Sequence, residues 1–421
     1  MLFPFSIYSF LTDPVAYLTE LQKKYGDPFP LSFPGAPTIW LTAKPDLVKT
    51  IFTAPADSFM PSEHNPVGPL LGNEGLLMLS GNTHLLRRKE FTPSFSKNNL
   101  MSSAAGIHKI FSKIYDKKAL TGVLNLQEFA FESTLKIILK FLFPHINEQE
   151  LSEAKLLTEK FLKSYSASFL FIPKWVPGTW GNFVQRKTLL DDRFYEFFLR
   201  GIECSAESPL ARLKEAPKEE VMDHIRTFIV AGHETSATSL VWALYHIHRD
   251  IHIKNRLAEE LNIFSKNSEE NFIEVLLQNK FLDCVVSEAL RIEPPVPFVT
   301  RKIINRDFKL GDRIFSIDEE IGVCITLLHR QDSTWNHPAE FSPDRFLTNK
   351  YSPYEYAPFG GGTRRCIGAE LSILELKILI GCFLKHFDAS MLMSPAPSSE
   401  VLQITIGPKK PVKLLYTKHF V

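Results

Sequence analysis

The stretch EEVMDHIRTFIVAGHETSATSLVWALYHIHRD, from Glu219 to Asp250, constrains the fold more than any other. It reads as one long helix, mostly apolar along its body and charged at both ends. A helix of that character belongs to a core. The chain can supply one: 44% of its 421 residues are apolar, and 34 are phenylalanine. Further helical patterns follow in NRLAEELNIF and in NKFLDCVVSEALRIEPP, the second stopped by Pro294 and Pro295. After Cys366, a stripe of Ile367, Leu371, Leu374, Ile378 and Cys382 marks another helix. Helices are expected to dominate from about Asn147 onward. The β portion is small. FPLSF and TIWLT bracket the turn PGAP as a hairpin, and KPDLVKTIF reads as a short helix. Residues 292–357 are irregular, proline-rich and dotted with strand-like pieces. No repeat, low-complexity tract or long polar linker divides the chain. Residues 1–421 are therefore expected to form one mainly α domain with a minor β portion.

The formal net charge is +1, so nothing in the balance asks for nucleic acid as a partner. The five cysteines, Cys204, Cys284, Cys324, Cys366 and Cys382, are odd in number and form no CxxC pair. That argues against a disulfide framework or a zinc site and points to a reducing cytoplasm. The opening MLFPFSIYSF is apolar but short of the roughly 20 residues that span a bilayer. It also lacks the basic start and cleavage site of a signal peptide. The expectation is a soluble chain with no transmembrane segment.

The chemistry concentrates in APFGGGTRRCIGAEL, from Ala357 to Leu371. A lone cysteine is most often a small buried hydrophobe. Here Gly360, Gly361 and Gly362 let the backbone turn freely and approach a bulky planar object. The loop then runs into a helix start, whose free N–H groups and dipole favour a thiolate. Arg364 and Arg365 add positive potential. A thiolate so held is a nucleophile or a metal ligand. A cysteine nucleophile would want a histidine base, and no protease-like context surrounds Cys366. Iron in a porphyrin fits better: thiolate is an axial ligand that pushes electron density toward O–O cleavage. Arg364 could pair a porphyrin carboxylate through its planar fork.

Phe359, Gly362, Arg364, Cys366 and Gly368, spaced F-x-x-G-x-R-x-C-x-G, resemble the haem-binding loop of the cytochrome P450 superfamily. The match is full and the motif highly specific. The resemblance implies the P450 fold, haem b (iron protoporphyrin IX) and Cys366 as the iron ligand, with Phe359, Gly360 and Gly368 shaping the loop around it.

Other segments match in order. EALR places Glu288 and Arg291 three apart on one helix face, and SPDRF supplies Arg345. Such a pair is usually a solvated surface couple, but the surrounding FLDCVV is apolar. In this family the trio forms a structural network near the thiolate loop. Within the long helix, AGHETS carries Ala231, Gly232, Glu234 and Thr235. A glycine there costs about 1 kcal/mol relative to Ala, and a glutamate is seldom buried without a partner. The plain reading is an irregularity in a core helix. The stretch also resembles the family's oxygen-activation motif, which implies a local opening beside Ala231, dioxygen held by Thr235, and protons relayed by Glu234. His84 and Arg88, four apart in GNTHLLRRKEF, could be a basic surface helix; the resemblance makes them, with Arg301 of PPVPFVTR, contacts of the haem propionates. Arg87 would replace Arg88 if the register differed by one.

The pocket walls are expected from FMPSEHNPVGPLLGNEGLLML, from the helix near Ala231 and from Val296, Phe298 and Val299, under an aromatic roof SYSASFLFIPKWVPGTW. The implied substrate is an apolar small molecule, a fatty acid, terpenoid or similar, and the second substrate is O2. No flavin or nucleotide motif appears. Electrons are therefore expected from a ferredoxin or flavodoxin-type donor with its reductase, docking near Arg87, Arg88, Lys89 and Arg365. The reading is a haem-thiolate monooxygenase. The alternatives are a haem-thiolate peroxygenase or isomerase, or a non-catalytic haem-based ligand-binding protein.

Overall fold

A computed structural model describes residues 3–33, 36–62, 67–165, 180–204, 208–263, 268–392, 397–402 and 405–419. The architecture is mainly helical with small sheets. The long helix spans Lys218–Arg249 and is the axis of the larger core. Its closest neighbour is the helix Leu126–Leu142, which Gly232 allows to approach: a Cβ there would stand 2.9 Å from Ile138 Cδ1. The glycine thus has a packing reason, and the helix is unbroken past it. The cysteine helix, Ala369–His386, buries Leu371, Leu374, Ile378 and Cys382 as its stripe requires.

The second core lies under a five-stranded sheet. Its spatial order is Phe29–Leu31, Ile39–Thr42, Glu320–Cys324, Phe298–Ile303 and Phe59–Met60. The expected hairpin is present, with Phe29 opposite Leu41. Its second strand then pairs in parallel with a strand from the irregular region, Ile39 beside Glu320. That strand pairs Phe298 with Cys324 on its other side. KPDLVKTIF forms the helix Pro45–Thr53, burying Val48, Ile51 and Phe52.

One expectation needs correction. Helices do not wait for Asn147: Gly81–Phe91, Ser103–Asp116 and Leu126–Leu142 precede it. The last of these buries Leu126, Phe129, Ala130, Ser133, Ile137 and Ile138 at helical spacing. A three-stranded sheet also joins Thr121–Asn125, Lys413–Lys418 and Phe387–Met391. One of its two pairings crosses nearly 300 residues, Leu414 meeting Leu124, so no local pattern announces it. Among the described residues, no helix is long and apolar enough to cross a membrane. Most of the expected aromatic roof lies outside the described residues.

Candidate active site

The Ala357–Gly368 loop is closed by its own backbone. Cys366 N–H donates to Phe359 O at 2.9 Å, and Gly360 N–H donates to Ala357 O at 2.9 Å. Gly360 and Gly362 take positive φ, +65° and +64°, where a side chain is strained. Gly361 has an ordinary extended backbone; its need is space, since a Cβ would come within 2.1 Å of the Phe52 ring. At Gly368 a Cβ would face Cys366 Sγ at 3.9 Å, an ordinary contact distance, so space alone does not require a glycine there.

Cys366 is the one exposed thiol among the described free cysteines; Cys284, Cys324 and Cys382 are buried. Its surface is accessible, yet it sits deep among protein atoms. Burial pushes its thiol up, and the opposing Gly368 N–H, Arg88 and Arg365 do not offset this. The helix start and its cations therefore do not make a thiolate by themselves. Arg364, expected to help here, belongs to a different cluster.

That cluster joins three distant segments. His84 lies buried on the Gly81–Phe91 helix. Its imidazole is held down to about 4, first by burial and then by Arg364, Arg88 and Arg301. Arg301, on the Phe298–Ile303 strand, donates to Thr300 O at 2.7 Å. Arg364 donates to Leu79 O. Burial pushes both guanidiniums down to about 10, and Arg301 and Arg88 lower Arg364 further. Among the described residues no carboxylate lies within ion-pairing distance of Arg88, Arg301 or Arg364. Arg87 instead pairs with Glu90 at 2.8 Å and with Glu220.

The long helix shows a window of partial exposure. Between Val221 and Ile247 every residue is buried except Ala231, Gly232 and Thr235. Ala231 and Thr235 share a face, and the Thr235 hydroxyl donates to Ala231 O at 2.8 Å. The next residue, Ser236, meets Ser372 Oγ at 3.1 Å, six positions beyond Cys366. Glu234 is buried and accepts from Thr405 Oγ1 at 2.9 Å. Thr405 Oγ1 lies 3.3 Å from Thr238 Oγ1. Sequence reasoning missed Glu375 on the cysteine helix. It is buried beside Ser236, and burial raises its carboxyl to about 8.

Behind the loop, Glu288, Arg291 and Arg345 assemble as expected. Glu288 is fully buried and receives Arg291 Nε at 2.7 Å, Arg345 Nε at 3.0 Å and Ser342 N–H at 2.8 Å. Arg291 also donates to the carbonyls of His329, Pro338 and Glu340 at 2.9–3.0 Å. His329, which the sequence did not single out, links this network to the loop. Its Nε2 accepts Ala357 N–H at 2.9 Å, and Nδ1 faces Arg291 O at 3.2 Å. An accepting Nε2 needs a neutral ring, and burial with Arg291 and Arg330 pushes it down to about 3.

Val299 and Arg301 share a face of their strand, and Val299 lies beside Gly360. Phe298 falls on the opposite face, where its ring meets Phe10 at 6.2 Å. It therefore points away from the side that carries Val299 and Arg301.

These features fit a haem. The cations need a dianion that the described chain does not supply. The glycine loop leaves room for a flat ring, and the exposed Cys366 sulfur is a soft donor that a haem iron would accept. Among the described residues no cluster of three or more His, Cys, Asp or Glu could hold a metal alone.

The sequence profile of the cytochrome P450 family matches residues 5–415. The chain belongs to that family, the haem-thiolate monooxygenases. It is 23% identical to cytochrome P450 135B1 of Mycobacterium tuberculosis over 427 residues, covering 94% of this chain and 86% of that one. It is 31% identical to human cytochrome P450 4V2 over 173 residues, 40% of this chain and 33% of the relative. Among solved structures, retinoic acid-bound cyanobacterial CYP120A1 superposes with a TM-score of 0.82 at 21% identity, over 96% of this chain and 94% of that one. Family membership carries haem, O2 as co-substrate and an electron donor in general.

Proposed function

We propose that the chain is a cytoplasmic monooxygenase that inserts one oxygen atom from O2 into an apolar small molecule, with electrons from a separate ferredoxin or flavodoxin-type donor and its reductase. The observation that carries the residue assignments is the group of three cations around a neutral His84 with no protein carboxylate among the described residues to answer them. Haem b has two propionates, which suit that group. Arg88, Arg301 and Arg364 hold them by charge, and His84 donates a neutral hydrogen bond. Cys366 would hold the iron through its sulfur, and metal binding would favour the thiolate that burial alone disfavours. Bound in this way, haem supplies dioxygen activation supported by electron donation from sulfur.

The chain's own groups manage position and protons. Thr235 turns its hydroxyl from the Ala231 carbonyl toward the expected pocket and donates to dioxygen there. Glu234 passes a proton inward at the oxygen that Thr405 now occupies. Glu288, Arg291 and Arg345 touch neither substrate nor haem and hold the loop through His329. An apolar substrate follows from the expected pocket's lining at Ala231 and Val299, and the fold is one that in CYP120A1 holds retinoic acid. The donor would meet Lys89 and Arg365, which are exposed, whereas Arg87 is committed to its glutamates. The free thiols of Cys284, Cys324 and Cys382 suit a reducing compartment.

Cys366→Ser tests the core of this reading. The reduced, carbon monoxide-bound spectrum should lose its thiolate band; an unchanged band rejects Cys366 as ligand. Thr235→Ala should keep consuming oxygen while releasing peroxide in place of product. Full coupling in that variant rejects its role.

A further inference from the structure

Beyond the candidate site, one buried ion network has no part in the scheme above. Arg226, 2% exposed on the long helix, pairs with Asp191 of the helix Trp180–Cys204 and with Asp223 one turn back. The free oxygen of Asp223 accepts Glu74 N–H at 2.9 Å. The segment around Glu74 hugs the long helix because it is glycine-bounded. A Cβ at Gly72 would strike the Asp223 carboxylate at 2.1 Å, and one at Gly75 would strike Thr227 Oγ1 at 2.2 Å. From there the backbone is tied onward. Gly75 O accepts Met78 N–H at 2.8 Å and Leu79 N–H at 3.2 Å. Leu79 O receives the Arg364 guanidinium, and Ser80 O accepts His84 N–H at 3.2 Å. One strap of nine residues, 72–80, thus runs from a buried ion pair to the two cradle groups Arg364 and His84.

We propose that Arg226, acting through Asp223, is a positioning residue for haem retention: it pins the strap so that Leu79 O and His84 stand where the haem carboxylates require them. A buried guanidinium is a costly way to join two helices if joining is all it does. Its geometry instead fixes a third segment, and that segment ends on the haem-facing cations. The inference rests on the assignment of Arg364 and His84 to the haem carboxylates.

The test measures transfer of haem from the ferric holoprotein to excess apomyoglobin. Arg226→Gln should release haem about fivefold faster, the scale of one lost buried contact, and Arg226→Lys should restore most of the retention. Gly75→Ala lifts the strap from Thr227 while leaving every charge in place, and should quicken release in the same way. Lys187→Gln removes a charge beside Asp191 without touching the strap, and should leave the rate unchanged. Arg364→Leu is the reference for the assignment beneath the proposal. If Arg364→Leu quickens release but Arg226→Gln and Gly75→Ala do not, the strap has no such role. If Arg364→Leu leaves release unchanged, the cradle assignment itself fails. Should Arg226→Gln not yield holoprotein, Gly75→Ala decides alone.

Discussion

Two groups of arginines, one buried and one half-buried, flank the Cys366 loop, and they are built on opposite principles. Behind the loop, Arg291 and Arg345 share the Glu288 carboxylate, and Arg291 directs its five N–H donors to named oxygens. In front of it, Arg301 and Arg364 reach one carbonyl each, and Arg88 and His84 share the same confined space without a described acid. A network that answers its own charges belongs to the scaffold. On the reading proposed above, a network that leaves them unanswered among the described residues is shaped for something that arrives later.

The sharpest way to break that contrast is Glu288→Gln. It leaves two buried guanidiniums without a counter-charge, which costs about 3–5 kcal/mol. The expected outcome is little or no recoverable haem protein, read as absorbance per milligram of purified chain. A near-normal yield would show that the rear network is not self-contained, and the distinction between the two groups would fall.

A smaller effect, opposite in sign between two states, comes from Arg301→Leu. Without haem, removing one of three mutually repelling cations should leave the urea midpoint unchanged or raise it. With haem, one charge-assisted bond is lost, about 1.5–3 kcal/mol, so haem should leave the protein at least tenfold faster. If the apo-protein were destabilised instead, Arg301 would be a scaffold residue like Arg291.

This contrast also explains what the sequence could and could not show. The loop carrying Cys366 and Arg364, and the pairing of Glu288 with Arg291, were legible because they are set by spacing along a loop or a single helix turn; Arg345, 57 residues from Glu288, came only through the family resemblance. The window at Ala231 and Thr235 was legible because polar residues interrupt an apolar run. His329 was not: it looks like any histidine in an irregular stretch, and only the fold brings its Nε2 to Ala357. Glu375 was hidden in the polar face expected of any amphipathic helix, although it is buried. The pairing of Arg87 with Glu220, more than 100 residues away, was also hidden. The sheet that pairs Leu414 with Leu124 was equally out of reach of local pattern.

The smallest effect concerns pH and compares His84 with His329. Folding holds the first down to about 4 and the second to about 3, from an ordinary value of 6.5. The unfolded chain therefore binds more protons below pH 6.5, so stability is full above that value and is lost as pH falls toward 4. For His329 the causes are burial and the scaffold's own Arg291 and Arg330, which haem does not alter. For His84 part of the cause is Arg364, Arg88 and Arg301, whose field two haem carboxylates would offset. His84→Asn should therefore flatten the fall of the urea midpoint between pH 6.5 and about 4 in the apo-protein, and do so much less in the holoprotein. His224, His233, His246, His248 and His386 are also held down, so the fall itself persists in both. An equal change with and without haem would mean that His84 feels only its burial, and that no carboxylate comes near it.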